Sequence, residues 1–299
     1  MKLTYVRLCL ILSLVALSSS LINAQVHPTA DRQALGKVKN PALQELSGIV
    51  PSVANPNCFW VHNDSGDDAH IYLIDSAANL LCTYTLEGVV ARDFEEVAWM
   101  MRDGKYHLVV GDIGDNRAKR KQITFHEFAE PVWEKGVRKA VIAHINSFEA
   151  VYPDGPRDAE AFFVDPLTNQ LILITKRDFH VHVYSADFVQ KQTSYLAESS
   201  KPYVLKREAE LPLFFVTAAD ISANGQDILV KNLTSIYHWK RNPSEPVVTA
   251  LRKSHVEVPY APEPQGEGIA FDRDGLRFYT ISERPLGLES YLYRYQLVK

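Results

Sequence analysis

Five short segments of this 299-residue chain line up with one another, and their recurrence constrains the fold more than any other feature. They are "ELSGIV" from Glu45, "DFEEVA" from Asp93, "DAEAFF" from Asp158, "FVTAAD" from Phe215 and "QGEGIA" from Gln265. Successive starts lie 48, 65, 57 and 50 residues apart, a period that belongs to repeat architectures such as propellers. Short β-branched and aromatic runs follow each segment, among them "CFWVHN", "YHLVVG", "QLILIT", "DILVKN" and "RFYTIS". Helical patterns of a dozen residues, which a doubly wound sheet needs between its strands, are absent. The expected fold is therefore all-β, a β-propeller of five blades, with six blades the alternative if the 177–216 interval hides another. Blade one reads as 47–52, 58–63, 70–75 and 80–86. The last unit offers only three strands, near 267–272, 277–282 and 290–297, before the chain ends. The segment near 33–44 is expected to supply its fourth strand, which would close the ring and hide an open edge.

The first 24 residues read as a secretory signal: Lys2 and Arg7, then the apolar "LCLILSLVAL", then small and polar residues with a cut near Ala24. Residues 25–299 are then a single propeller domain, periplasmic or extracellular, without a transmembrane segment. Removing Lys2 and Arg7 leaves 30 basic against 36 acidic residues, a balance of −6 that argues against nucleic acid as a partner. Cys58 and Cys82 are the cysteines left; two do not make a disulfide scaffold, and two free thiols are the favoured reading over a bridge.

Acidic residues recur at matched positions. Alternation on a strand puts Asp93 beside Glu95 and Asp158 beside Glu160, with Glu45 before Ser47 and Gln265 before Glu267. The fourth unit departs, with Phe215 and Thr217, although Asp220 follows. Two Gly-containing turns, "NDSGDD" and "GDIGDN", add Asp64 and Asp112, each 17 residues beyond Ser47 and Glu95. Carboxylates crowded at one rim repel and need a cation, protons or basic partners. An all-oxygen donor set suits calcium, and the candidate ligands are Glu45, Asp64, Asp93, Glu95, Asp112, Asp158, Glu160, Asp220 and Glu267. Magnesium, and a metal-free ring of hydrogen-bonded acids, are the alternatives.

Lys176, Lys231 and Arg284 follow the second strands of units three to five. They are expected either to neutralise nearby acids or to hold an anionic group beside a metal. Catalytic candidates are His62, Glu95, Glu160, Glu267, Lys176, Lys231 and Arg284. His180 and His182 in "FHVHVY" lack a third zinc ligand fixed by the sequence, so surface or packing roles are favoured. No nucleophile elbow, nucleotide loop or Cys-x-x-Cys motif is present.

The set "LQELSGIV", "WVHNDSGD", "RDFEEVAWM", "VVGDIGDN", "RDAEAFFVD", "TAADISANG" and "QGEGIAF" resembles a family of secreted bacterial β-propellers, mostly uncharacterised, distantly similar to calcium-containing phytase- and lactonase-like propellers. That resemblance implies calcium at the channel and a phosphate-ester or lactone substrate. Thr217 departs from the acid pattern, and a phytase's full calcium set is not matched. Two functions follow as expectations. One is a calcium-binding propeller acting as a binding or scaffold protein, its partner an anionic small molecule, a carbohydrate or an extracytoplasmic protein. The other is a calcium-dependent hydrolase of a phosphate ester or lactone.

Overall fold

A computed structural model describes residues 31–187 and 201–297 of the protein. The expected signal segment lies outside the described residues. Within them, 22 strands form five sheets. Blade one runs β2 (Leu46–Pro51), β3 (Cys58–Asn63), β4 (His70–Asp75), β5 (Leu80–Leu86), and blade two β6 (Phe94–Arg102), β7 (Lys105–Asp112), β8 (Ile123–Ala129), β10 (Asn146–Val151). Blade three is β11 (Ala159–Val164), β12 (Leu171–Thr175), β13 (Val181–Ala186), β15 (Lys206–Leu211). Blade four is β16 (Val216–Ile221), β17 (Asp227–Asn232), β18 (Ile236–Lys240), β19 (Val256–Val258). Blade five is β20 (Gly266–Phe271), β21 (Arg277–Ser282), β22 (Tyr291–Gln296) and, from the other end of the described chain, β1 (Arg32–Lys37).

The inner strands β2, β6, β11, β16 and β20 pack against one another in that order, and β20 returns to β2. This makes a closed five-bladed β-propeller. β1 pairs antiparallel with β22, from Arg32 opposite Tyr295 to Lys37 opposite Tyr291, as expected of a closing strand. The 177–216 interval contains no additional blade among the described residues, because β13 and β15 both belong to blade three. Two parallel additions were not anticipated as pairings. β9 (Lys139–Ile142), from the loop of blade two, extends blade one beside β5, and β14 (Tyr203–Val204) extends blade two beside β10.

The strands read as continuous apolar runs because both faces of each blade are covered. Five apolar clusters fill the gaps between neighbouring blades. Trp60 and Cys82 of blade one meet Phe94 and Trp99 of blade two, and Phe125 of blade two meets Phe162 of blade three. Trp239 belongs to the gap between blades three and four, Phe278 and Tyr295 to that between four and five, and Phe59 and Tyr279 to that between five and one. Cys58 and Cys82 are buried free thiols.

Candidate metal centre at the channel mouth

Every inner strand carries one extra residue near its start. Phe94 pairs with Asp112 and Glu96 with Gly111, so Glu95 is the bulged residue. Glu160, Thr217 and Glu267 occupy the same position in β11, β16 and β20, and β2 has an equivalent irregularity between Leu46 and Ile49. A bulge twists the strand and re-aims a side chain. Here it recurs at each repeated acid, at the end of the channel where the inner strands begin.

The next repeated position lies one residue past the second strand. The backbone N–H groups of Asp64, Ile113, Lys176 and Glu283 donate to the carbonyls of Glu45, Asp93, Asp158 and Gln265, at 2.7, 3.2, 2.9 and 3.1 Å. Blades one and five place acids there, whereas blade three places a lysine.

Two overlapping groups result. Ligand atoms of Asp64, Asp93 and Glu95 lie within 4.8 Å of one another, as do those of Asp64, Glu267 and Glu283. Asp64 is shared, so five carboxylates converge on one mouth. Glu95 is 1% exposed, and neither of its oxygens has a hydrogen-bond donor among the described residues. Asp64 and Asp93 are half-buried and face solvent in part. Gly114 sits hard against the pair: a Cβ there would run into Glu95 Oε1 and Asp93 Oδ2. The glycine of "GDIGDN" therefore serves close approach, and its φ is not in the left-handed region.

The electrostatics follow from this crowding. Burial, then the charge of Glu267, raises Asp64 to about 6. Burial, then Asp64, raises Asp93 to about 7. Burial, then Glu267, raises Glu283 to about 8. Burial pushes Glu95 well above the usual carboxylate range, with Asp64 and Asp93 adding to it. Without a cation this crowding favours the protonated forms of these acids; a divalent ion would offset it.

The other expected site residues are spoken for locally. Asp112 accepts from the backbone N–H of Arg92 at 3.1 Å and pairs with Arg120 at 2.7 Å. Asp158 accepts from the backbone N–H of Asp115 at 2.9 Å and from Arg177 Nε at 2.5 Å. Glu160 bonds Lys176, whose Nζ is also 4.0 Å from Glu267 and stacks on the Phe215 ring at 4.8 Å. Phe215 thus covers a cation where other units carry an acid or amide. Glu45 is exposed beside Glu283. Asp220 lies beyond the mouth, accepting the Phe271 N–H of the next blade at 2.7 Å.

Lys231 is fully buried, bonded to the Gly266 and Asn232 carbonyls, and burial lowers it to about 8. Glu263, absent from the expected set, faces Lys231 and accepts from the Thr280 hydroxyl, with burial raising it to about 7. Arg284 stands at the rim with its backbone N–H on the Gln44 carbonyl at 2.8 Å. His62 is wholly buried against Gly48, with burial lowering it to about 4, so it has no exposed face at the mouth. His182 packs against Tyr184, and His180 is exposed before β13.

Glu283 is the principal ligand candidate that sequence reasoning left out. The signal was present: Glu283 follows Ser282 as Asp64 follows Asn63, once the second strands are superposed on their bulged partners. The sequence matches no protein-family model, and a search of curated proteins finds no relative. No helix of the described residues is long and apolar enough to cross a membrane.

Proposed function

We propose that this chain is a calcium-binding β-propeller that acts as a binding or scaffold protein outside the cytoplasm, after cleavage of its leader near Ala24. The observation that carries the calcium reading is Glu95, buried at the mouth with both oxygens unpartnered among the described residues and two further carboxylates within 4.8 Å. Removing a carboxylate from water without a partner is costly, and a hard cation offsets that cost. Asp64, Asp93, Glu95, Glu267 and Glu283 would hold it. An all-carboxylate set with no His or Cys favours calcium or magnesium over softer metals, and the number of protein carboxylates favours calcium, because magnesium is usually held by one or two and keeps several waters.

Elemental mass spectrometry of chelator-free protein tests this directly. About one calcium per chain is expected, with a fall in melting temperature on chelation. The Glu95→Gln variant is expected to weaken calcium by about tenfold or more, since affinity follows ligand charge. Retention of no metal, together with an unchanged melting curve on adding calcium, would overturn the reading.

The half-exposed Asp64 and Asp93 favour a second reading, a calcium-dependent hydrolase of a phosphate ester or lactone. A cation reached from solvent on that side can polarise a substrate oxygen. Calcium-dependent turnover of either substrate class, abolished by Glu95→Gln, would select it over the scaffold role.

A further inference from the structure

The far end of the propeller carries a second cleft, between blades five and one, of about 490 Å3. That size suits a small organic ligand. Arg273, Arg277 and Arg294 line it, with Asp272 as the one lining acid and Phe59 and Tyr279 as aromatic walls. It lies at the opposite ends of the strands from the acidic mouth and shares no residue with it.

The arginines are incompletely matched. Arg277 is held by Asp272 at 2.8 Å and Asp274 at 2.6 Å. Arg273 and Arg294 have no carboxylate within 4.0 Å among the described residues. Arg273 Nη2 donates to the Pro51 carbonyl at 2.6 Å, and its guanidinium stacks on Trp99 at 4.5 Å. Arg294 donates to the Gln33 side chain. The Nε atoms of Arg273 and Arg277 are buried without an acceptor among the described residues. Burial lowers Arg273 from its ordinary value, while the more distant charges of Asp220, Glu130 and Asp272 act the other way.

A smaller cleft at the acidic end makes the contrast. Arg117, Arg157 and Arg177 line it, but so do Asp115, Asp158 and Asp178. Arg157 meets Asp178 at 2.9 Å, and Arg177 meets Asp158 at 2.5 Å. Two of its three arginines are thus held directly by lining acids, and by count its three acids offset its three cations.

We propose that the cleft formed by Arg273, Arg277 and Arg294 binds a small phosphate-bearing molecule. Planar guanidinium groups recognise phosphate oxygens with paired, charge-assisted hydrogen bonds. Arg273 is already positioned by its stacking on Trp99, so little ordering is left for binding. The Phe59 and Tyr279 rings, 4.7 Å apart edge to face, supply an apolar wall for the organic part. The dianion supplies the direct ion-pair partner that Arg273 and Arg294 lack among the described residues.

The test is isothermal titration of phenyl phosphate into the purified chain with calcium chelated, so that metal at the other end contributes nothing. One-to-one binding is expected. Arg294→Gln, at the partly exposed rim, is expected to weaken it by about tenfold or more, and Arg273→Met likewise. Arg117→Gln, in the self-neutralised cleft, should leave it unchanged. Absence of binding, unchanged affinity in Arg294→Gln, loss in Arg117→Gln, or equal affinity for the monoanion benzoate would each overturn the assignment. Because Arg294 makes no ion pair among the described residues, and a Gln there keeps an amide donor for Gln33, its variant is expected to keep the parent melting temperature, which separates lost binding from lost folding.

Discussion

At the scale of single residues, the mouth is built by removing atoms as much as by adding charges. Gly114 is the clearest case, because the Asp93 and Glu95 carboxyls occupy the space a methyl would need. Gly114→Ala is expected to destabilise the protein by about 1–3 kcal/mol, read from the denaturant midpoint, and to weaken calcium binding with it. Asp220 carries a different consequence. Burial raises it from 3.8 to about 7, despite the Phe271 N–H it accepts. Below pH about 4 the group is protonated folded and unfolded; above about 7 it is charged in both. Between those limits the folded chain retains a proton that the unfolded chain has lost, so stability falls as pH rises. The shift corresponds to something on the order of 4 kcal/mol. Asp220→Asn is expected to flatten the slope of unfolding free energy over that window. An unchanged slope would show that Asp220 is not the group responsible.

At the scale of elements, neighbouring blades are joined by polar contacts that cross the gaps outside the apolar clusters. Arg241 of blade four clasps Asp165 of blade three through two bonds of 2.7 and 3.0 Å, both side chains about 2% exposed. Glu130 of blade two accepts from Ser52, Val53, Ala54 and Trp60 of blade one. Breaking a buried pair leaves a charge uncompensated, so Asp165→Ala is expected to cost about 3–5 kcal/mol in chemical denaturation. None of these partnerships was legible in the sequence, because an acid's counter-ion is chosen across tens of residues by the packing of blades. What was legible is local and periodic. Blade one was expected at 47–52, 58–63, 70–75 and 80–86, and its strands fall at Leu46–Pro51, Cys58–Asn63, His70–Asp75 and Leu80–Leu86. The bulges escaped notice because a single inserted residue leaves the apolar pattern of a two-sided buried strand unchanged. That omission also hid the equivalence of Asp64, Lys176 and Glu283, and with it one candidate ligand. The grouping of Asp112 and Asp158 with the other acids rested on spacing alone, which carries no information on Arg120 or Arg177.

At the scale of the whole molecule, the acids and the unmatched arginines occupy opposite ends of one channelled ring. Blades five, one and two supply the carboxylates of the mouth, whereas Lys176 and Lys231 close its other side on Glu160, Glu263 and Glu267. The ring itself is held shut by β1 on β22. A chain shortened to begin at Val38 is expected to expose the edge of β22, and to show a lower melting temperature with self-association in light scattering. Retention of the parent melting temperature and monomeric size would show that closure contributes little. This closure also sets an order of events. Gln33 and Arg294, hydrogen-bonded across the seam, stand 261 positions apart. β1 therefore has no partner in blade five until β22 has emerged. Contacts of such separation fold slowly. Whatever machinery handles this chain meets it with β1 unpaired until β22 has been made, and the closed ring records that β22 has arrived.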